Sequence, residues 1–212
     1  MNNDALLRIA VTKGRLLEKS IGMFERAGAD CAALRAPGRR LTLPVLGNIP
    51  FEVVLAKAPD VITYVEHGVC DFGIVGKDTI LELGSSFYEV LDLRFGACRF
   101  VLAVPDGTDF FGGLRHRTVA TKYPNVTRNF LEKKGVDADI VKIEGSVELA
   151  PILGLADGIV DIVETGGTLR ENGLAPIEDV AYVSARLIAN IAAVKTKKAL
   201  VTDFINMCKG AL

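Results

Sequence analysis

Histidine is scarce in this sequence, which contains only His67 and His116 among its 212 residues. A His-rich metal site and a Ser-His-Asp triad are therefore poorly supported. Cysteine is also sparse, and the wide spacing of its four residues fits neither a zinc site nor a CxxC motif. We interpret these cysteines as free, buried thiols in a reducing cytoplasm: Cys31, Cys70, Cys98 and Cys208.

Excess charge is absent as well, because the net charge is −1 and the isoelectric point is near 6.2. A balanced chain of this kind gives no support to nonspecific nucleic-acid binding, so any recognition of phosphate must be local. The N-terminus has no basic segment typical of a signal peptide, and its apolar run is broken at Arg8 and Lys13. No apolar segment approaches the length of a membrane span. These absences predict a cytoplasmic protein that does not bind membranes.

Hydrophobic residues make up 50% of the chain and charged residues 24%, which predicts a globular protein with one large domain or two lobes. Apolar runs alternate with amphipathic segments, and this order predicts an α/β fold with largely parallel sheets. The predicted strands cover residues 7–12, 41–46, 51–56, 71–75, 118–120, 138–143, 159–163 and 180–191. The predicted helices cover residues 16–27, 59–67, 128–134, 148–157 and 195–207.

The loop after the seventh predicted strand carries the clearest signal for a ligand. Its sequence is Thr165-Gly166-Gly167-Thr168, in which the glycines allow a sharp turn that exposes N–H groups and the threonines add hydroxyls. A concave set of such donors suits a phosphate monoester. Asp161, on the preceding strand, is placed to accept hydrogen bonds from the hydroxyls of a sugar whose phosphate the loop holds. A plain structural turn is the alternative, and the combination of acid, strand and hydroxylated turn favours the ligand site.

The stretch ELAPILGLADGIVDIVETGGTL, from Glu148 to Leu169, resembles the signature of the ATP phosphoribosyltransferase family, the first enzymes of histidine biosynthesis. The fixed positions of that signature are all filled, by Glu148, Gly154, Ala156, Ile159, Asp161, Ile162, Thr165, Gly166, Thr168 and Leu169. The loop also resembles the phosphoribosyl pyrophosphate loop of other phosphoribosyltransferases. Those enzymes usually have two adjacent acids before the loop, whereas Ile162 follows Asp161 here, which favours the ATP family.

A basic turn, Lys13-Gly14-Arg15, lies between the first predicted strand and the first predicted helix. Helix N-termini present unpaired N–H groups, so this turn suits an anionic ligand. The alternative is a solvated turn with ordinary surface cations. The ATP phosphoribosyltransferase family has a Lys-Gly-Arg-Leu segment that lines the active site at this place, and residues 13–16 match it.

Arg39 and Arg40 follow a Pro-Gly turn, where they are either simply exposed or clamp an anion with their forked guanidinium donors. The family resemblance favours the second interpretation for at least one of them.

Asp78 follows a predicted strand whose carboxyl end is a typical place for ligands, and the alternative role is an N-cap of the next helix. Arg99 lies in a segment that resembles a basic, Gly-rich part of the family, and we assign it to ligand contact on that basis.

The resemblance also implies the architecture, which is two α/β lobes of the type II periplasmic-binding-protein kind with the active site in the cleft between them. We place lobe I at residues 1–98 plus 177–212, and expect it to hold ATP and pyrophosphate and to form the dimer. Lobe II would be residues 99–176 and would carry the phosphoribosyl pyrophosphate loop.

The implied reaction joins ATP to 5-phosphoribosyl 1-pyrophosphate and gives N1-(5-phosphoribosyl)-ATP and pyrophosphate. In that reaction the loop Thr165–Thr168 would hold the 5-phosphate, and Asp161 would hold the ribose hydroxyls. The catalytic residues Arg15 and either Arg39 or Arg40 would neutralise pyrophosphate. ATP would contact Lys13, Gly14, Asp78 and Arg99. Mg²⁺ would bridge pyrophosphate and ribose oxygens with few direct protein ligands, and we assign none.

Two other functions fit parts of the pattern. The first is a different phosphoribosyltransferase, which Ile162 and the match at residues 13–16 oppose. The second is a two-lobed solute-binding protein, which the missing signal peptide opposes. The chain ends soon after the signature, as in the short form of the family. That form implies a homodimer that pairs with a separate regulatory subunit resembling histidyl-tRNA synthetase.

Overall fold

Two β-sheets organise residues 6–84, 86–113 and 115–212, which are the residues described by this computed structural model. Each sheet forms the centre of its own unit. The first unit runs to Gly96 and resumes at Ser184–Leu212, and the second unit is Ala97–Val183.

Strands and helices alternate along most of the chain. The strands are β1 Leu7–Thr12, β2 Thr42–Val45, β3 Phe51–Ala56, β4 Phe72–Gly76, β5 Phe87–Asp92, β6 Cys98–Pro105, β7 Arg117–Thr121, β8 Ala138–Lys142, β9 Gly158–Val163, β10 Leu174–Val183 and β11 Ala185–Asn190. The helices are α1 Arg15–Arg26, α2 Ala32–Arg35, α3 Ala58–Glu66, α4 Lys77–Leu83, α5 Pro124–Lys134, α6 Leu149–Ile152, α7 Gly167–Glu171, α8 Ile191–Thr196 and α9 Lys198–Gly210.

The sheet of the first unit has the strand order β2-β3-β1-β4-β11-β5. Its central strand β1 is parallel to β3 and β4, and β2 and β11 are antiparallel to their neighbours β3 and β4. Four phenylalanines from four elements pack in its core: Phe24 on α1, Phe51 on β3, Phe72 on β4 and Phe204 on α9. The Phe204 ring centroid lies 4.8–6.3 Å from the other three, so the last helix covers this sheet.

The sheet of the second unit has the strand order β10-β6-β9-β7-β8. In it β7 is parallel to β8 and β9, whereas β6 is antiparallel to β9 and β10. Ile159 and Val160 of the central strand β9 are fully buried. Because β7 and β9 are parallel, their carboxyl ends lie at the same edge of the sheet, and the loop that begins at Glu164 leaves from that edge.

Both sheets are mixed, so the prediction of largely parallel sheets is wrong. Parallel pairing is confined to β3-β1-β4 in the first sheet and to β9-β7-β8 in the second. The remaining ladders are antiparallel, both between consecutive strands such as β2 and β3 and between distant ones such as β6 and β10. Local patterns in single strands carry no information about that choice of neighbour.

The boundary between the units also differs from the expected lobes. The structure divides the predicted strand at residues 180–191 into β10 and β11, which belong to different units. Residues 97–98 and 177–183, expected in lobe I, fall in the second unit, because β6 begins at Cys98 and pairs with β10 from Leu174 to Val183. Ser184 separates the two strands, and β11 pairs instead with β4 and β5.

Three of the predicted helices also differ from the observed ones in their bounds or number. The helix expected at residues 148–157 is reduced to α6, and Gly154 adopts a left-handed φ of 72° just after it. Helix α5 begins earlier than expected, at Pro124, where proline's missing N–H is tolerated. The expected terminal helix is two helices, α8 and α9. Among the described helices, none combines the length and the apolar character needed to cross a membrane.

Candidate functional site

A concave pocket of about 290 Å³ lies at the carboxyl end of β9 in the second unit. It is lined by Glu148, Asp161, Ile162, Val163, Glu164, Thr165, Gly166, Gly167, Thr168 and Leu169. The carboxyl end of a sheet strand is the usual place for ligands in α/β folds. The structure therefore brings together Asp161 and all four loop residues that the sequence analysis assigned to phosphoribosyl pyrophosphate.

The loop turns at Gly166 and passes directly into helix α7. Gly166 has φ 76° and ψ 10°, a left-handed conformation that costs other residues about 1–2 kcal/mol. Gly167 is the first residue of α7, and the Arg170 N–H donates to the Gly166 carbonyl over 3.2 Å. The side chains of Thr165 and Thr168 are exposed at the pocket. The pocket thus has two hydroxyls and closely spaced backbone N–H groups on one short segment.

Asp161 is a half-buried carboxyl on β9, and its pKa is raised above the ordinary value of 3.8. Burial is the main cause, because it withdraws water from the charged form. The neighbouring charge of Glu148 raises the pKa further, whereas the Ile162 N–H and the charge of Lys122 oppose the shift. A carboxylate short of water in this way gains from hydroxyl donors brought by a ligand.

Two residues near Asp161 were given no role from the sequence. Glu148 lines the pocket, and its fixed place in the signature was the signal that could have identified it. Lys122 follows β7, whose last residue Thr121 pairs with Val160 of β9. Lys122 therefore lies near Asp161, just beyond the end of the neighbouring strand β7, a relation that only the strand pairing reveals.

The basic segments of the first unit gather at one edge of its sheet. The Lys13 N–H donates to the carbonyl of Ala56 over 3.1 Å, which joins the turn after β1 to the end of β3. Strand β2 runs antiparallel to β3, so Arg39 and Arg40, just before β2, lie at the same end of β3. Strand β4 ends at this edge too, since it is parallel to β1. Lys13, Arg39 and Arg40 are exposed there.

The same turn contains Gly14 and Arg15. Gly14 has φ 84°, which favours glycine, and it precedes α1. Arg15 is the first residue of α1, and its side chain is exposed. The expected basic turn is thus present at the start of a helix.

Asp78 lies in the first turn of α4, and the alternative role as an N-cap is wrong. The N-cap position belongs to Gly76, without a side-chain cap. The Asp78 side chain instead folds over Gly76, where an added Cβ would meet its Oδ1 at 2.0 Å. Its Oδ2 accepts a hydrogen bond from the Thr79 hydroxyl over 3.4 Å.

Arg99 lies on β6 in the second unit, whereas Lys13, Gly14 and Asp78 belong to the first unit. Its guanidinium forms an ion pair with Asp179 on the neighbouring strand β10. The Asp179 carboxylate also accepts a hydrogen bond from the Tyr182 hydroxyl over 2.9 Å. Arg99 pairs through its backbone with Val163 at the end of β9, but it is not among the residues that line the pocket described above.

Comparison with known proteins identifies the family to which this chain belongs. The model of the HisG family, ATP phosphoribosyltransferase, matches residues 57–210. The chain belongs to the ATP phosphoribosyltransferase family. The ATP phosphoribosyltransferase of Clostridium kluyveri is 54% identical over 207 residues, which cover 97% of this chain and 94% of that protein. The enzyme of Clostridium acetobutylicum is 53% identical over 209 residues, covering 99% and 97%.

Solved structures support the same assignment and the predicted fold. The ATP phosphoribosyl transferase (HisG:HisZ) complex from Thermotoga maritima has a chain with 34% identity and a TM-score of 0.81, with coverage of 97% of this chain and 98% of that chain. The periplasmic aliphatic sulphonate binding protein SsuA from Escherichia coli has 14% identity and a TM-score of 0.62, covering 98% of this chain and 68% of that chain. The second similarity concerns the fold alone, and it confirms the predicted resemblance to type II periplasmic binding proteins.

Family membership also confirms the predicted activity. The chain is a pentosyltransferase of the first step of histidine biosynthesis, as the sequence analysis predicted. The two alternatives, a different phosphoribosyltransferase and a solute-binding protein, are not favoured.

Proposed function

We propose that the pocket of the second unit binds the phosphoribosyl group of phosphoribosyl pyrophosphate. The loop from Thr165 to Thr168 holds the 5-phosphate, and Asp161 accepts hydrogen bonds from the ribose hydroxyls. The observation that carries this proposal is the pairing of a half-buried carboxyl with an exposed, hydroxylated loop in one pocket. A phosphorylated sugar has both the hydroxyl donors and the anion that such a pocket needs.

This reaction needs little proton transfer by groups of the protein. Adenine N1 of ATP already has a lone pair, so no general base has to create the nucleophile. The sugar C1 passes through an oxocarbenium-like state while negative charge gathers on pyrophosphate. Catalysis then comes from holding N1 and C1 in line and from stabilising the leaving group.

We assign the leaving group and ATP to the basic edge of the first sheet. Arg15 and one of Arg39 and Arg40 neutralise pyrophosphate, and their segments meet at the ends of β1 and β3. ATP contacts are assigned to Lys13, Gly14, Asp78 and Arg99. The assignment of Arg99 requires ATP to compete with Asp179 for the guanidinium. We also assign lobe I, here the first unit, to dimerisation.

Mg²⁺ is the proposed metal, and the donors in the pocket fit it. Glu148 and Asp161 supply carboxylate oxygens, and Mg²⁺ commonly takes one or two carboxylates together with substrate phosphates and water. Over the described ranges, no group of three or more His, Cys, Asp or Glu residues is arranged to hold a metal alone. Glu148 and Asp161 would therefore hold the ion jointly with substrate. When bound, Mg²⁺ supplies positive charge that stabilises the departing pyrophosphate.

Thr168→Val tests the pocket assignment directly. The change removes a hydroxyl from the pocket while keeping the side-chain shape, and a lost hydrogen bond to a charged group is worth roughly 1.5–3 kcal/mol. We expect the dissociation constant for phosphoribosyl pyrophosphate, measured by calorimetry, to rise about 10- to 150-fold. Pyrophosphate release from ATP plus phosphoribosyl pyrophosphate should fall accordingly. Thr202→Val is the control, because Thr202 is an exposed threonine on α9. Equal affinities in parent and Thr168→Val would remove the loop from the site.

Arg15→Leu tests the leaving-group assignment. Loss of a cation that acts on developing charge should lower kcat more than it raises KM, by roughly 10- to 100-fold. Arg39→Leu and Arg40→Leu, made separately, should show this effect at one position only. Arg128→Leu serves as the control, because its guanidinium bonds Asn125 on the surface of α5. Single-turnover chemistry as fast in Arg15→Leu as in the parent would refute the assignment.

We also propose that the chain forms a homodimer and assembles with a separate regulatory subunit. The regulatory subunit is supported by the HisG:HisZ complex from Thermotoga maritima, one chain of which matches this protein over almost its whole length. The homodimer rests on the family resemblance alone. The isolated protein should then show little direct inhibition by histidine. Addition of a HisZ-like subunit should form a larger complex and change the histidine response, because such coupling needs two sites and two states. Saturable histidine binding with inhibition in the isolated homodimer would contradict this proposal.

A cytoplasmic location remains part of the proposal, and the cysteines support it. All four are free thiols; Cys31, Cys70 and Cys208 are buried as expected, whereas Cys98 is half-buried. Burial raises the pKa of Cys31 to about 11 and the pKa values of Cys70 and Cys208 to about 12. These thiols therefore stay protonated and unreactive, as suits structural cysteines in a reducing compartment.

A further inference from the structure

Arg170 folds back over the loop and does not line the pocket. Its Nη1 donates to the Thr165 carbonyl over 3.4 Å. The same atom lies 3.5 Å from the place where a Cβ on Gly166 would stand. Arg170 is four residues after Gly166, so helical geometry places both on one face of the chain. The guanidinium therefore contacts the turn whose residues Thr165 and Gly166 line the pocket.

The contact with Thr165 determines the orientation of one peptide unit. The Thr165 carbonyl and the Gly166 N–H belong to the same planar trans peptide, so they point in opposite directions. Because Arg170 holds the carbonyl, the Gly166 N–H is directed away from Arg170. Thr165 and Gly166 both line the pocket.

We propose that Arg170 is a positioning residue that fixes the Thr165–Gly166 peptide so that the Gly166 N–H is presented to the 5-phosphate. This inference rests on the proposed binding of phosphoribosyl pyrophosphate in the pocket. Arg170 acts through the backbone and does not touch the substrate. The hydrogen bond from Arg170 is needed because Gly166 has no side chain, which leaves the peptide on its N-terminal side free to rotate.

A second side chain of the same helix provides a matched control. Asn172 donates from Nδ2 to the Thr168 carbonyl over 2.8 Å. The Thr168 carbonyl also accepts from the Asn172 N–H over 3.2 Å, so the helix itself already orients that peptide. Loss of the Asn172 side chain should cost stability without changing the loop.

The experiment measures phosphoribosyl pyrophosphate binding by calorimetry, and thermal unfolding, in Arg170→Met, Arg170→Lys and Asn172→Ala. We expect Arg170→Met to raise the dissociation constant about 3- to 10-fold, with the KM for ATP unchanged. Arg170→Lys should restore part of the affinity, because an ammonium can reach the carbonyl but lacks the planar fork. Asn172→Ala should bind as tightly as the parent even though it unfolds at a lower temperature.

Salt distinguishes orientation from simple attraction between Arg170 and phosphate. The Debye length falls to about 3 Å at 1 M salt, so a pure charge effect should disappear there. We expect the ratio of Arg170→Met to parent dissociation constants to be the same at low and high salt. A ratio that falls to one at high salt would overturn the positioning role, as would equal losses in Arg170→Met and Asn172→Ala.

Thr168→Val distinguishes a failure of the pocket assignment from a failure of the role of Arg170. If Thr168→Val loses affinity and Arg170→Met does not, the pocket assignment stands and the role of Arg170 is wrong. If Thr168→Val binds as tightly as the parent, the pocket assignment fails, and the role of Arg170 fails with it.

Discussion

Asp161→Asn is expected to lower kcat/KM for phosphoribosyl pyrophosphate by about 100-fold and to raise the stability of the free protein. The loss of activity follows from the proposed contact with the ribose hydroxyls. An amide accepts weaker hydrogen bonds than a carboxylate, and one of its two polar atoms is a donor. Both ribose contacts should therefore weaken, which justifies an effect larger than that of a single neutral hydrogen bond.

The gain in stability follows from the direction of the pKa shift. Burial and Glu148 raise the pKa of Asp161 in the folded protein. The Asp161 carboxyl therefore binds its proton more tightly in the folded protein than in the unfolded chain. The stability that this adds is fully present below the unfolded pKa and is lost as pH rises through the folded pKa. Asparagine resembles the protonated acid and has no such loss. The two proteins should be equally stable below about pH 3.8, the ordinary value, and the variant should be more stable at neutral pH.

The measurement is thermal unfolding of both proteins over a pH series, combined with steady-state kinetics. Asp106→Asn is the control, because Asp106 is an exposed acid of the same unit. Phosphoribosyl pyrophosphate should stabilise the parent more than the variant, since the stability that a ligand adds grows with the logarithm of the ratio of its concentration to its dissociation constant. Lower stability of the variant at neutral pH would show that burial does not destabilise the Asp161 carboxylate. Full activity of the variant would show that Asp161 does not contact the sugar.

Much of this site could be predicted from sequence because its parts are contiguous. Strand β9 is an apolar run between glycines, and the loop follows it directly, so local patterns identify both. The environment of Asp161 could not be predicted in the same way. Glu148 reaches it from the segment before α6, and Lys122 reaches it from the end of β7. The interaction with Lys122 depends on strand order in the second sheet, and the interaction with Glu148 depends on the packing of α6 against β9.

In the fold as well, features set by local sequence could be predicted, whereas features set by pairing between distant strands could not. The sequence 180–191 is mostly apolar, which predicts one strand there. The break at Ser184 arises because β10 pairs with β6 while β11 pairs with β4 and β5. Strand β5 was not predicted, because it lies at the edge of its sheet and has few buried side chains. The meeting of Arg39 and Arg40 with the turn after β1 likewise depends on antiparallel pairing of β2.

The two adjacent glycines of the loop are expected to respond differently to substitution. Gly166 is left-handed, with φ 76°, and valine is poorly suited to that conformation. Gly167 has no positive φ, and an added Cβ would meet only the Thr165 hydroxyl oxygen, at 3.8 Å. An alanine there fits the start of α7, and its methyl group would occupy space in the pocket, which Gly167 lines.

Gly166→Val should therefore lose about 1–2 kcal/mol of unfolding free energy and bind phosphoribosyl pyrophosphate more than about 100-fold more weakly, because the loop must change shape. Gly167→Ala should be as stable as the parent or more so, since alanine favours helix. It should nonetheless bind at least about tenfold more weakly, because the methyl group and the phosphate compete for the same space. Urea denaturation and calorimetry on both variants make the test. Unchanged binding by Gly167→Ala would exclude a close approach of phosphate to this backbone, and unchanged stability of Gly166→Val would show that the turn does not need glycine.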